Sequence, residues 1–247
     1  MVSEDAAIQF ENVHKTFEEN HVLRGLSLDI PKGKVTTILG PSGSGKSVFL
    51  KHIIGVLRAD SGRVRVLGQD VADLNRRGIQ GLRKRIGVLF QSSALFDSMS
   101  VLENVAFGLR MHTKMKEPEV RAKVAECLGR VNLSGVEAMS PSDLSGGMRK
   151  RAALARAIAM DPAVILYDEP TTGLYPKTSN VVGDLILEVQ GQLNITAIVV
   201  THDMPLALRI SDRVALIYQG VIASQGTPRE IETSEEDIIR RFVRGEL

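Results

Sequence analysis

The sequence predicts an α/β fold with an antiparallel β lobe at its start, a mostly parallel core sheet and an inserted helical subdomain. Three observations predict it. Residues 1–30 favour strands, and short apolar runs then alternate with helical patterns. Between about Ser100 and Met139 the chain has helical periodicity and no convincing strand.

The length and continuity of the chain predict one domain. Its 247 residues contain no fixed-period repeat, low-complexity tract or long linker that would separate a second unit. We expect a core lobe at about 1–94 and 161–247 and a helical subdomain at about 95–160.

The first elements are two β-favouring runs. Ile8–Phe17 and Val22–Ile30 are rich in strand-forming residues, and the Pro-Lys-Gly turn at 31–33 ends the second run. Two or three antiparallel strands are therefore expected.

The core sheet is predicted from short segments that are apolar at consecutive positions, as suits parallel strands covered on both faces. These segments are 35–39 (VTTIL), a strand near Ile86–Phe90, 163–167 (AVILY), 196–200 (TAIVV) and 213–219 (RVALIYQ). A helix is expected to begin at Lys46. In the inserted segment, residues 102–111 and Glu117–Val131 are candidate helices, and we expect most of their apolar side chains to be core packing.

The charge and cysteine content narrow the classes of partner and compartment. Thirty-one basic and 29 acidic residues give a formal charge of +2, and the basic residues are scattered, so no nucleic-acid partner is expected. Cys127 is the single cysteine, which excludes an intrachain disulfide and fits a reducing compartment. We interpret it as a small residue packed on a helix.

The apolar runs are too short for membrane insertion. The start of the chain, MVSEDAAIQF, lacks the basic and apolar regions of a signal peptide. The longest apolar runs fall far short of the ~20 residues that span a bilayer. Any membrane role is therefore expected to need a partner.

A glycine-rich loop between a predicted buried strand and a predicted helix matches the P-loop pattern. Its residues are Gly40, Pro41, Ser42, Gly43, Ser44, Gly45, Lys46 and Ser47. Val48, the next residue of the helix, is also predicted to bind the nucleotide. Backbone amides and the helix dipole favour an anion there. Lys46 is predicted to reach the β- and γ-phosphates, and the Ser47 hydroxyl to bind Mg²⁺. The alternative is a plain Gly/Ser-rich turn.

Polar side chains follow two other predicted strands at the same edge of the sheet, where ligands bind in such folds. Asp168 is predicted to hold Mg²⁺ through its water shell, and Glu169 to orient and polarise the attacking water. His202 follows the strand at 196–200 and is placed to contact the γ-phosphate. The alternative for the two acids is that they simply begin a solvated loop. The alternative for His202 is a structural role, which we expect for the other four histidines.

A second anion site is predicted at the sequence LSGGM, residues 144–148. Ser145 can cap the helix that follows, and Gly146 and Gly147 leave its first amides open to a phosphate. The alternative is a well-capped basic helix without a ligand. The segment resembles the LSGGQ signature of ABC ATPases, with Met148 where glutamine is usual.

The resemblance covers nearly the whole chain and implies a P-loop NTPase of the ABC cassette type, with a RecA-like core. It implies ATP hydrolysis with Mg²⁺, and a second copy of the chain whose ATP the signature helix contacts. Gln91 resembles the Q-loop glutamine, with catalytic and metal-binding roles, and His202 the switch histidine. Phe17 resembles the aromatic residue that stacks on adenine, although a Phe at a strand end is as often a core residue.

The sequence departs from the family at Tyr175, where an aspartate is usual in the loop that crosses the dimer interface. A phenol is bulkier, neutral and a poorer acceptor than a carboxylate. We therefore expect an active enzyme with altered communication between the two sites.

Three longer segments, two of which contain the P-loop and the signature, resemble the ATPase subunits of bacterial MCE-associated lipid transporters, including the Mla phospholipid system. These segments are GPSGSGKSVFLK, VLFQSSALFDSMSVLENVAFGLR and LSGGMRKRAALARAIA. Ala94, Leu95, Phe96 and Met99 are predicted to form an apolar groove for a permease helix. The alternative is that these four side chains are interior packing.

This resemblance implies a set of partners and a location. The partners are an integral membrane permease that holds the lipid, an MCE-domain protein and a small STAS-type subunit. The location is the cytoplasmic face of the inner membrane, as a peripheral subunit. The last segment, EEDIIRRFVRGEL, resembles the start of the tail of Mla ATPases.

Three alternative functions stay open. One is the ATPase of another ABC transporter, for amino acids, sugars or metals, although such subunits commonly append a β-domain for which a chain ending at 247 leaves no room. Another is a soluble ABC ATPase of translation or DNA repair, although those usually carry two cassettes, zinc-ligand cysteines or a long coiled-coil insertion. The third, suggested by Tyr175, is a regulatory module without turnover.

Overall fold

The computed structural model describes residues 5–174, 176–244 and 246, excepting the side chains of residues 176 and 177. The strands in chain order are β1 (Ala6–Phe17), β2 (Asn20–Pro31), β3 (Val35–Leu39), β4 (Ser61–Val66), β5 (Gln69–Asp70), β6 (Ile86–Leu89), β7 (Val164–Asp168), β8 (Thr196–Thr201), β9 (Arg213–Tyr218) and β10 (Val221–Gly226). The α-helices are α1 (Lys46–Ile53), α2 (Arg76–Lys84), α3 (Val101–His112), α4 (Glu117–Arg130), α5 (Gly146–Ile158), α6 (Pro176–Leu193), α7 (Met204–Ile210), α8 (Pro228–Glu232) and α9 (Asp237–Val243).

The first sheet is antiparallel and has the strand order β2-β1-β4-β5. Strands β1 and β2 were predicted, whereas β4 and β5 were not. The sequence of β4, SGRVRV, alternates polar and apolar residues, so that Val64 and Val66 are buried and Arg63 is exposed. This strand belongs to a one-sided sheet and lacks the consecutive apolar residues that identify the buried strands.

The second sheet has the order β10-β9-β3-β8-β7-β6, and all its pairs are parallel except β9 with β10. Strands β3, β8 and β7 are neighbours, so their carboxyl ends meet at one edge. The loops that follow them carry the P-loop, His202 and the Asp168–Glu169 pair. The predicted α/β fold class, with its antiparallel lobe, mostly parallel core sheet and helical insertion, is confirmed.

Helices α3, α4 and α5 lie between β6 and β7 in the chain and pack on one another through a shared apolar cluster. Helix α3 begins with a capping box: Ser100 Oγ accepts a hydrogen bond from the Glu103 amide, and Glu103 Oε2 accepts one from the Ser100 amide. Helix α4 ends at Arg130, one residue before the predicted Val131. None of the helices that the structure describes could span a membrane by length and hydrophobicity.

Candidate nucleotide-binding site

A cleft of about 490 Å³ opens at the edge where β3, β7 and β8 end. It is lined by Val22, Ser42, Gly43, Gly45, Lys46, Ser47, Val48, Gln91, Asp168, Glu169, Thr172 and His202. The fold therefore brings together predicted residues from four segments far apart in the chain, namely the P-loop, Gln91, the Asp168–Glu169 pair and His202, whereas Phe17 and the signature residues do not line the cleft. Their individual roles remain predictions, and the local geometry indicates how far each fits.

Two of the three P-loop glycines show how the loop is held and where it is open. A Cβ atom at Gly40 would lie 2.6 Å from the Ile217 carbonyl oxygen, so this position excludes a side chain. Gly43 has φ of +80°, which favours glycine, and a Cβ atom there would meet nothing within 4 Å. The loop is thus fixed against β9 at its base and leaves space beside its backbone for a ligand.

Polar groups in the loop fit a phosphate. Lys46 is only 7% exposed, and its Nζ donates to the carbonyl oxygens of Gly40 at 2.7 Å and Pro41 at 3.0 Å. Burial lowers the pKa of Lys46, and the nearby Glu169 carboxylate partly opposes that shift. Ser44 Oγ is buried without a hydrogen-bond partner in the described part of the chain. A buried ammonium in the same loop as an unpartnered hydroxyl suits that loop to an anion.

Glu169 is held at the centre of the cleft by contacts to one of its two carboxylate oxygens. Its Oε2 accepts hydrogen bonds from Thr172 Oγ1 at 3.2 Å and Thr201 Oγ1 at 3.3 Å, and lies 2.9 Å from His202 Nδ1. Oε1 lies 3.7 Å from Lys46 Nζ. Its backbone has φ of +47°, an uncommon conformation for a residue with a side chain. The contacts on Oε2 hold the carboxylate in one orientation.

Asp168 is in a half-buried position at the end of β7. Burial raises the pKa of its carboxyl group, and the adjacent Glu169 charge raises it further. A cation would favour the ionised form and offset both effects. Asp168, the Ser47 hydroxyl and the Gln91 amide supply the oxygen atoms that Mg²⁺ prefers.

The donor set suits a metal that is shared with a phosphate ligand. Among the described residues, no cluster of three or more His, Cys, Asp or Glu side chains could hold a metal alone. Mg²⁺ usually binds proteins through one or two carboxylates together with water and substrate phosphates, which matches this cleft.

The signature residues lie outside the cleft, on the helical lobe. Ser145 is the N-cap of α5, and its Oγ accepts a hydrogen bond from the Met148 amide at 3.3 Å. Gly146 is exposed, and a Cβ atom there would meet nothing within 4 Å; Gly147 is partly buried. The first amides of α5 are therefore accessible to a ligand that this chain's own cleft does not hold.

Two sequence predictions remain without a local test. Phe17 does not line the cleft; it is 40% exposed at the end of β1, with Lys15 Nζ 5.4 Å from its ring centroid. Its stacking role stays a prediction. Tyr175 lies outside the described residues.

The sequence interpretation did not include Val22, Thr172 and Thr201. Val22 lines the cleft from β2, and the two threonines bind Glu169. The two threonines could have been found from the sequence, because each lies within three residues of a predicted catalytic residue at the end of a strand. Val22 has none, since its place depends on how the antiparallel lobe packs beside the P-loop.

A groove lies at the segment for which docking was predicted, and two of the four predicted residues line it. A groove of about 670 Å³ includes Ala94 and Phe96 in its lining and does not include Leu95 and Met99. Leu95 packs against the apolar core, and Met99 is partly buried. The loop turns at Ser93 and Ala94, whose φ values are +66° and +47°, immediately before Leu95 and Phe96.

The remaining walls of the groove come from the preceding strand β6 and from distant segments. They include Val88, Phe90, Phe107, Arg156 and Met160. Adjacency in sequence alone could not identify this set.

A P-loop, an acidic pair and a histidine at the carboxyl edge of a parallel sheet define a P-loop ATPase. The model of the ABC transporter family matches residues 23–172, and the chain belongs to this family. It is accordingly an ATP-binding, ATP-hydrolysing subunit.

Two relatives extend the match over almost the whole chain. The probable ribonucleotide transport ATP-binding protein mkl of Mycobacterium leprae is 41% identical over 239 residues, covering 97% of this chain and 69% of that protein. The intermembrane phospholipid transport system ATP-binding protein MlaF of Haemophilus influenzae is also 41% identical over 239 residues, covering 97% and 90%.

Solved structures agree on the fold. CbiO1 from Clostridium perfringens, part of the ABC transporter complex CbiONQ, is 34% identical with a TM-score of 0.88, covering 98% of this chain and 96% of that chain. The ATP-binding cassette MJ0796, dimeric in a post-hydrolysis state with ADP and Pi, is 31% identical with a TM-score of 0.81, covering 90% and 99%.

Proposed function

We propose that this chain is the ATPase subunit of a bacterial lipid transporter and works as a dimer beneath an integral membrane permease. The observation that carries the proposal is the convergence of Lys46, Asp168, Glu169 and His202 in one cleft, with the signature helix exposed elsewhere. The lipid assignment is supported by the MlaF relative, whose name gives phospholipid transport.

The P-loop holds the phosphates of ATP. The amides at the start of α1 and the Lys46 ammonium face the cleft, and both favour negative charge. Lys46 would then exchange its bonds to the Gly40 and Pro41 carbonyls for bonds to phosphate oxygens. The open side of Gly43 leaves room for the phosphate chain.

Mg²⁺ would be held by Ser47, Gln91 and Asp168, and when bound it neutralises developing charge on the phosphates. Asp168 stays ionised beside a cation even though burial raises its pKa. Gln91 links the metal site to the loop of residues 91–96 that borders the groove.

Glu169 orients and polarises the attacking water. Since Thr172, Thr201 and His202 contact Oε2, the other oxygen is less constrained and can accept the water's proton. His202 is also placed to contact the γ-phosphate from the same edge, which ties its position to the state of the nucleotide.

The second copy of the chain completes the site. The amino end of α5, where Ser145 is the N-cap and Gly146 is exposed, can approach the ATP held in the partner's cleft. The dimeric MJ0796 cassette is a precedent for such an assembly within this family.

The groove beside Phe96 receives a cytoplasmic helix of the permease. Phe96 and Phe107 are exposed and pack on each other with ring centroids 5.0 Å apart. Asn104, which is fully buried, holds the loop through the Phe96 amide at 2.8 Å and the Phe96 and Met99 carbonyls at 3.1 Å. The groove is thus a shaped surface with aromatic anchors.

Helix α5 connects this groove with the signature. Arg156 donates to the carbonyl oxygens of Ser93 at 3.0 Å and Ala94 at 2.7 Å, and Lys150 donates to that of Gln91 at 3.3 Å. A movement of the permease helix would therefore reach the amino end of α5 through a single rigid element.

The wider assembly follows the same proposal. An MCE-domain protein and a small STAS-type subunit join the permease, which holds the lipid. This chain is a peripheral subunit at the cytoplasmic face of the inner membrane.

The test is purification of the complex from membranes, followed by mass spectrometry of the bound proteins and lipids. We expect a permease, an MCE-domain protein and phospholipid. Reconstitution in vesicles then measures ATP-dependent lipid movement. Recovery of bound ribonucleotide and no lipid would favour the function in the name of the mkl relative and overturn the lipid assignment.

A further inference from the structure

We propose that a basic face of α2 binds the anionic lipid headgroups of the membrane that carries the permease. The proposal rests on the proposed function for the orientation of the chain, because the permease groove marks the side that faces the bilayer. It concerns a surface that the nucleotide chemistry does not use.

Helix α2 contains four basic and no acidic residues. Arg76, Gln80 and Arg83 recur at helical spacing on one face, and with Arg58 they line a cavity of about 440 Å³. Lys84 follows at the end of the helix. The cavity is therefore a concave, positively charged surface of the kind that recognises phosphate groups.

These charges are not neutralised within the chain. Arg58, Arg76, Arg83 and Lys84 form no ion pair with any carboxylate of the described residues. Arg83 is also held in place, donating to the carbonyl oxygens of Ile54 at 2.8 Å and Gly55 at 3.1 Å. The basic face thus retains its full charge and is partly preorganised.

The basic face is continuous with the docking groove. Gln80 and Arg83 line both cavities, and Lys84 lines the groove. A permease helix in the groove would place α2 near the headgroup layer. The cytoplasmic leaflet is negatively charged, and its attraction for basic residues is largest within a Debye length. The basic face and the anionic leaflet have opposite charges, and the basic face adjoins the groove. Both facts favour a lipid surface as the occupant.

The experiment is sedimentation of the purified chain with phosphatidylcholine vesicles, with or without phosphatidylglycerol. We expect binding only with the anionic lipid, weakened by salt. Arg76→Glu should lower the partition coefficient at least about five-fold, the effect of one basic residue near such a surface. Arg229→Glu is the matched control, because α8 packs on β9 and β10 at the edge of the core sheet opposite to β6 and α2.

Equal binding of Arg76→Glu and Arg229→Glu, or no binding to either vesicle, would overturn the proposal. If Arg76→Glu leaves vesicle binding intact but releases the permease in detergent, the occupant is protein and the lipid proposal is wrong. The vesicle assay contains no permease, so its outcome is independent of whether the groove docks one.

From a separate observation we infer that Thr201 is a positioning residue for Glu169, a role that rests on the proposed function of that carboxylate. Thr201 is completely buried, and its Oγ1 lies 3.3 Å from Glu169 Oε2 and 3.0 Å from the Asp203 amide nitrogen. The amide can only donate, so the hydroxyl accepts there and directs its one proton at Glu169.

The same hydroxyl joins the two loops that carry the reacting residues. Asp203 caps α7 through the Leu206 amide and accepts a hydrogen bond from Thr171 Oγ1 at 3.2 Å. The loop after β7 and the loop after β8 are thereby linked on both sides of Glu169. A carboxylate bound in this way keeps its orientation when His202 moves.

Thr201→Val tests the inference, with Thr201→Ser as the conservative variant. We expect valine to lower kcat about ten-fold with unchanged ATP affinity, and serine to restore kcat, because only a hydroxyl keeps the carboxylate oriented towards the attacking water. Thr37→Val is the matched control, since Thr37 is equally buried and bonds Ser211 instead.

The inference is wrong if Thr201→Val behaves as Thr37→Val does, or if serine does not restore turnover. Undiminished turnover of Glu169→Gln would instead refute the proposed role of Glu169 itself.

Discussion

Lys46, Asp168 and Glu169 crowd opposite charges into one partly desolvated cleft. Burial lowers the pKa of Lys46 and raises that of Asp168, so the charged form of each is disfavoured. Their mutual attraction offsets only part of this effect. The site is therefore arranged to bind ions at some cost to the stability of the free chain.

Asp168→Asn should raise the Tm of the nucleotide-free chain at pH 7 by a few degrees. The folded pKa of Asp168 lies above its ordinary value of 3.8, so its destabilising effect is full above the folded pKa and is lost as the pH falls through it towards 3.8. The Tm difference between variant and wild type should therefore narrow on acidification. Thermal melts from pH 8 to pH 4.5 measure this Tm difference. A difference that widens at low pH would contradict a raised pKa for Asp168.

Glu169→Gln should bind ATP as the wild type does and lose turnover by roughly 100-fold or more, because the amide keeps the shape and lacks the basic oxygen. Nucleotide titration and phosphate release measure the two effects separately. Lys46→Ala is the contrasting variant and should weaken binding itself, since it removes the ammonium next to the P-loop carbonyls.

At the scale of elements, the strands that the sequence predicted best are those buried on both faces. The apolar runs of β3, β7 and β8 stand out without any knowledge of their neighbours. Strands β4 and β10 were missed because they are partly exposed, so their polar residues hide the pattern.

Among site residues, the P-loop, Asp168, Glu169 and His202 could be placed at one sheet edge from the sequence, because each follows a strand and the carboxyl ends of parallel strands meet at one edge. The groove could not be predicted in the same way. Leu95 and Phe96 are adjacent and both apolar, and only the packing of α3 beneath the loop decides which one is exposed.

That difference provides a matched pair of variants. Phe96 is 43% exposed in the groove, so Phe96→Glu should leave nucleotide binding and the fold intact and weaken the permease contact about ten-fold, by burial of an unpaired charge. Leu95→Glu should instead lower the free energy of unfolding, since Leu95 packs against the core. Copurification of the permease and denaturant melts distinguish the two. Equal destabilisation by both would show that Phe96 is also a core residue.

Across the whole chain, the two surfaces that we propose bind phosphate are kept apart by the fold. The cleft lies at the edge of the core sheet, and the exposed amino end of α5 lies on the helical lobe. Two copies in opposite orientation would satisfy both surfaces, which is why we expect ATP to act as the bridge between subunits.

Gly146→Asp tests this arrangement without touching the cleft. A side chain at Gly146 meets no neighbour within 4 Å, and an acid at the first turn suits a helix dipole, so the fold should be unchanged. In the Glu169→Gln background we expect ATP affinity to be retained and the ATP-induced dimer to be lost, as measured by size-exclusion chromatography with light scattering. A dimer that persists would place the second phosphate contact elsewhere.

Cys127 makes such movements accessible to spectroscopy. It is the single cysteine of the chain, is buried in the helical lobe, and burial raises the pKa of its thiol to about 11. Maleimides and other alkylating probes react with accessible thiolates, and this thiol is neither accessible nor ionised at neutral pH. The chain can therefore be labelled at an introduced cysteine without first removing Cys127. A cysteine introduced at an exposed position of the helical lobe away from the signature, such as Ser134, would carry a fluorophore alone and report the distance to its counterpart in the second copy during each turnover.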